Sequence, residues 1–123
     1  MARQFSGAVV AAIDAAKIIG IRAGTDHKFI GVWPVVVDGR VFARSWGVSR
    51  DGWYHAFMEE ANGSIQIGER EIRVRGLRPR GERIRDKVEE AYAAKYTTKA
   101  SQKWVRGFRT DRRREATIEF VPR

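Results

Sequence analysis

The chain has 123 residues, a formal net charge of +9, 43% hydrophobic residues and 11% aromatics. That is enough apolar material for one ordinary domain with a real core, and too much for a disordered chain. It contains no cysteine, which excludes disulfides, thiolate metal sites and a cysteine nucleophile. No basic start is followed by an apolar stretch and cleavage site, and no apolar run nears the ~20 residues that cross a bilayer. A cytoplasmic protein with no membrane partner is therefore expected. The charge is uneven: residues 1–62 carry 7 basic and 6 acidic side chains, residues 63–123 carry 17 and 9. Arginine supplies 18 of the 24 basic residues, a bias that suits anionic partners and equally suits a solvated surface.

In chain order, Ser6 is a good N-cap for a short helix with Val9, Val10, Ile13 and Ala16 on its apolar side. The β-branched run Ile18, Ile19, Ile21 predicts a strand over 17–23, ended by Gly24. After the polar turn at 25–28, residues 29–37 read as one strand whose valines suggest burial on both faces. Asp38-Gly39 predicts a type I′ hairpin turn, because both central residues need positive φ. Its two-residue length sets the register: Val37 opposite Arg40, Val35 opposite Phe42, Trp33 opposite Arg44. Pro34 then falls in a non-hydrogen-bonded pair with Ala43, where its missing N–H costs nothing.

The loop 47–52 offers Ser49 or Asp51 as a cap for a helix carrying Trp53, Phe57 and Ala61 at helical spacing, ended by Asn62-Gly63. A second hairpin follows, with Ile65 and Ile67 returning through a Gly68-Glu69 type II′ turn to Ile72 and Val74. Residues 82–96 are helical on the stripe Ile84, Val88, Ala91 and Tyr92. Residues 99–114 read as loop with one helical turn near Trp104, and 116–121 as a closing strand. Consecutive hairpins and a doubly buried strand point to an α+β chain built on a small antiparallel barrel rather than an open sheet.

Arg44 and Ser45 end a strand just before a helix begins. A guanidinium, a hydroxyl and the unpaired N–H groups of a helix start together make a seat for a phosphate. Packed over Trp33, the arginine would keep its outer N–H groups free for an anion. The plainer reading makes Arg44 a solvated strand residue and Ser45 a strand-end cap. Trp33, Trp46 and Trp53 either wall a flat ring system or fill a core or subunit interface. His27 and His55 have no metal-ligand partner at useful spacing, and no GxSxG pattern accompanies Ser45, so neither a metal site nor hydrolase chemistry is expected. Arg106, Arg109, Arg112, Arg113 and Arg114 form a basic tract. It lacks a nucleic-acid-binding motif, so a nucleic-acid role ranks below a solvated loop.

The run VWPVVVDGRVFARSWGVSRDGWYHAF, with the later segments EEAYAAKY and EATIEFVPR, resembles a small uncharacterised bacterial family. More distantly, it resembles the flavin-binding split barrels: pyridoxamine-phosphate-oxidase-like proteins and deazaflavin-dependent nitroreductases. The resemblance implies a single split-barrel domain over 1–123, mainly antiparallel and six-stranded with two or three flanking helices. It also implies a homodimer with FMN or a deazaflavin at the interface. Carried over, the cofactor-binding positions are Trp33, Arg44, Ser45, Gly47 and Trp53. No side chain is named as an acid or base. The expected function is flavin-dependent redox chemistry on a small molecule. The alternatives are a protein that binds another phosphorylated or aromatic ligand with no cofactor, and a basic nucleic-acid-binding module.

Overall fold

The computed structural model describes residues 4–47 and 52–123. The elements, in order, are α1 (Gly7–Ala15), β1 (Ile19–Ala23), β2 (Ile30–Val32), β3 (Pro34–Val37), β4 (Arg40–Arg44), α2 (Trp53–Glu59), β5 (Asn62–Ile67), β6 (Arg70–Leu77), α3 (Glu82–Lys95), α4 (Lys99–Gly107), α5 (Asp111–Glu115) and β7 (Thr117–Pro122). All strands join one antiparallel sheet in the order β2-β1-β5-β6-β7-β4-β3. Its two edge strands, β2 and β3, are consecutive in the chain and separated only by Trp33. The sheet must therefore curl until its edges meet at that residue, which gives a nearly closed barrel. Among the described residues, the expected six strands and two or three helices become seven strands and five helices. One strand expected over 29–37 breaks at Trp33 and supplies both edges, and 99–114 folds as α4 and α5 rather than as loop.

Both hairpins form as their turn residues dictate. Asp38 and Gly39 have φ of 51° and 76°, as a type I′ turn requires. The register follows, with Val37 opposite Arg40, Val35 opposite Phe42 and Pro34 opposite Ala43. Gly68 alone of its turn has positive φ, at 58°, consistent with type II′, and Ile67 pairs with Arg70.

Alternation along the strands separates two cores. Ile21, Val41, Ala43, Ile65, Val74, Ile118 and Phe120 fill the barrel interior with Ile13 of α1 and Phe57 of α2. Val35, Val37 and Phe42 face outward and pack under Val88 and Tyr92 of α3, with Val105 of α4 and Phe108. The valine run is thus buried on both faces. Phe57 seats where two inward positions lack side chains: a Cβ on Gly63 would lie 2.9 Å from its ring, and one on Gly76 2.8 Å. Asn62 and Gly63 accordingly begin β5 instead of ending α2.

Ser6 caps α1 by accepting the Val9 N–H at 3.3 Å. Thr98 caps α4, accepting the Ser101 N–H at 3.2 Å. The buried face of α4 is narrow, with Ser101 and Val105 followed by Phe108. So thin an apolar stripe among lysines and arginines explains why the helix reads as loop in sequence. The proposed caps Ser49 and Asp51 lie outside the described residues, and α2 begins behind Gly52 with no side-chain cap. No helix among the described residues is long and apolar enough to cross a membrane.

Candidate functional site

A cavity of about 370 Å³ lies between the barrel edge and α4, lined by Gly31, Val32, Trp33, Arg44, Trp46, Trp53, Trp104 and Phe108. Three of the five residues expected at a ligand site, Trp33, Arg44 and Trp53, meet there. Ser45 and Gly47 do not line it: the Ser45 hydroxyl donates to the Gly47 carbonyl, and its N–H donates to Ala116 O at 2.8 Å.

Three of the tryptophans are fixed from behind. Trp33 stacks on Tyr96 with ring centroids 4.5 Å apart, and Lys17 Nζ sits 5.6 Å from the indole. Trp46 meets Trp104 and Phe108 edge-on at 4.6 and 5.7 Å, under the Arg113 guanidinium at 3.6 Å. Arg113 Nε also donates to the Trp46 carbonyl at 2.9 Å. Gly107 permits this approach, since a Cβ there would lie 2.2 Å from the Trp46 ring. Trp53 packs against Phe57 and Phe120. Aromatic walls held this way present flat apolar faces with little entropy left to lose when a ring inserts.

Arg44 corrects the sequence reading. Its side chain has no exposed surface, and four of its five N–H groups are spent on the protein. Nε donates to Thr117 Oγ1 at 2.8 Å, and Nη1 donates to Phe108 O at 2.9 Å and Glu89 Oε1 at 3.3 Å. Nη2 donates to Arg85 O at 3.2 Å. Burial lowers its pKa, opposed by the Glu89 carboxylate, but an arginine starts so high that it remains charged. The expected stack on Trp33 is replaced by Trp33 on Tyr96. The exposed, free pair of outer N–H groups that a phosphate seat needs is therefore not there. Arg44 instead ties the end of β4 to α3, to β7 and to the residue that closes α4.

Tyr92 completes this tie. Its hydroxyl accepts the Arg44 N–H at 2.9 Å and donates to Trp33 O at 2.7 Å, joining the two residues that sequence reasoning paired. Burial pushes its phenol well above the ordinary tyrosine range. Trp104 and Phe108 were missed as wall residues. Their signal was the Thr98 cap with the 101, 105, 108 spacing, which turns the tract into a helix that faces β4.

The basic tract is partly spent as well. Arg114 bridges Glu82 at 2.7 Å and Asp86 at 2.9 Å and also pairs with Glu89. Arg113 is committed to Trp46. Arg106, Arg109 and Arg112 remain exposed.

The fold and cavity define a class: a small, nearly closed antiparallel barrel with an aromatic cavity beside the residue where its edges meet. The chain belongs to the family described as uncharacterized proteins conserved in bacteria (DUF2255), which matches residues 8–120. In fold it is similar to the conserved hypothetical protein Rv2991 from Mycobacterium tuberculosis, with a TM-score of 0.62 and 12% identity over 95% of this chain and 79% of that one. It is also similar to an FAD-binding protein from Mesorhizobium loti, with a TM-score of 0.55 and 12% identity over 99% of this chain and 91% of that one. No curated protein matches it in sequence.

Proposed function

We propose that the tryptophan-walled cavity binds the ring system of a flavin or deazaflavin, and that the protein works with it on a small molecule. The convergence of Trp33, Trp46, Trp53 and Trp104 on one cavity carries this reading. The barrel's likeness to an FAD-binding protein supports it. The lining fits a flat aromatic body: Trp33, Trp46 and Trp53 are braced from behind, and 370 Å³ falls within the usual range of small-molecule sites, about 300–1,000 Å³. It does not fit a phosphate at Arg44, so a phosphorylated tail would have to be held by other residues. When bound, the ring supplies the redox chemistry. The chain's own residues stack on it, exclude water and hold it in one orientation.

A second copy of the chain completes the site in this proposal. Ile30 on the edge strand β2 and Trp104 on the cavity rim are 46% and 38% exposed, and both are apolar surface that a dimer would cover. A nucleic-acid reading is less favoured, because Arg113 and Arg114 turn inward to protein partners.

The test is a titration of the purified protein with FMN, FAD and a deazaflavin, followed by tryptophan fluorescence, with native mass spectrometry for co-purifying cofactor. Quenching by at least one of them is expected. Trp104→Leu, which removes an exposed wall and spares the core, should weaken binding about tenfold, the scale of one aromatic stacking contact. Binding of none of the three, with no flavin mass in the native protein, overturns the proposal.

A further inference from the structure

A second cavity, of about 530 Å³, shares no residue with the tryptophan-walled one. It lies on the outer face of β1, β5 and β6, away from Ile21, Ile65 and Val74 in the barrel core. The register sets a row across the strands there: Arg22 beside Ser64, and Ser64 beside Arg73. The Arg123 N–H donates to Arg73 O at 3.1 Å and extends the row past the end of β7. Neighbouring strands lie ~4.8 Å apart, so two arginines about 10 Å apart flank one short hydroxyl side chain. The result is a floor of serine between guanidinium walls.

Each wall carboxylate accepts one hydrogen bond from the protein. Glu71 accepts from Arg22 Nη2 at 2.8 Å, and Glu60 accepts the Asn62 N–H at 3.0 Å. Arg22 is further held over the Phe29 ring at 4.5 Å. Among the described residues, the Arg73 guanidinium and the Ser64 hydroxyl have no protein partner, although Ser64 is only 7% exposed. Three arginines against two glutamates leave the lining one positive charge in excess, and the free guanidinium and hydroxyl add donor capacity, the complement of a small oxyanion. Thr25 and Asn62 on the rim offer uncharged hydrogen-bonding groups to whatever the oxyanion is attached to. With only one positive charge in excess, the lining suits a single small anionic group rather than an extended polyanion.

We propose that this cavity binds a small metabolite through its phosphate or carboxylate group, with Arg73 and Ser64 as the principal contacts and Arg22 and Arg123 as flanking charge. Isothermal titration of the full chain at low salt with inorganic phosphate, glucose 6-phosphate and gluconate tests it and separates a phosphoryl from a carboxylate source. At least one probe should bind. Arg73→Ala should weaken it tenfold or more, the loss of a charge-assisted hydrogen bond. Ser64→Ala should weaken it less. Arg75→Ala removes the same charge from the next outward position of β6, does not line the cavity, and should leave affinity within about twofold. Thermal melts of the variants establish that they fold. The proposal is overturned if no probe binds by about 10 mM, or if Arg75→Ala weakens binding as much as Arg73→Ala, which would mark a general charge effect.

Discussion

At the scale of single residues, the most consequential are the buried polar ones. Arg44 looks in sequence like a ligand-facing cation and is in fact a bracket: from the end of β4 its guanidinium reaches β7, α3 and Phe108. A change in ligand affinity on mutating it would report distortion of the fold rather than loss of a ligand contact. Tyr92 is the sharper probe, since its hydroxyl alone links Arg44 to Trp33. Tyr92→Phe should leave the buried Arg44 N–H and the half-buried Trp33 carbonyl without this partner and destabilise the protein by about 1–3 kcal/mol in urea unfolding. The pH dependence has a definite sign. A phenol whose folded pKa is raised stabilises the fold fully below the unfolded value of 10.0, and that contribution is lost as pH rises beyond it. The phenylalanine variant should therefore show a shallower alkaline loss of stability than the parent.

At the scale of elements, α5 is a short helix with no buried residue of its own. Arg114 docks it on α3 through Glu82, Asp86 and Glu89, and Arg113 docks it on Trp46. Hydrogen bonds from Arg114 and Arg85 hold the Glu82 carboxyl below its ordinary pKa of 4.5. The stabilisation it gives is present above that value and lost as pH falls through the lowered one. Glu82 is solvent-exposed, so the effect is small and salt-sensitive. Acid titration of stability between pH 6 and pH 3 should be flatter in Glu82→Gln than in the parent, and added salt should narrow the difference. An identical titration in the two proteins would remove Glu82 from the docking of α5.

At the scale of the molecule, the barrel leaves β2 as an edge strand carrying exposed Ile30 beside the cavity, with exposed Ile18 on the neighbouring segment. Unpaired edges with apolar side chains invite a second chain. A homodimer by light scattering is the expected outcome, and Ile30→Asp should shift it towards monomer without lowering the melting temperature of the monomeric fold. If the parent is already monomeric, the cavity has to work from one chain.

The residue sequence by itself determined the two hairpins, their registers, the capped α1, the long α3 and the antiparallel barrel class. Each of these rests on local chemistry: positive φ at Asp38-Gly39 and Gly68, strict alternation, and helical spacing of apolar side chains. It also singled out Trp33, Arg44 and Trp53, which meet at one cavity. Only the tertiary structure decided what those residues face. Strand 29–37 breaks at Trp33 because its two halves pair at opposite edges of the sheet, a placement that depends on all seven described strands together. Arg44 is spent because Thr117, Glu89, Arg85 and Phe108, 41 to 73 positions away in sequence, converge on it. No local pattern encodes that convergence, and the same holds for the row that sets Ser64 between Arg22 and Arg73.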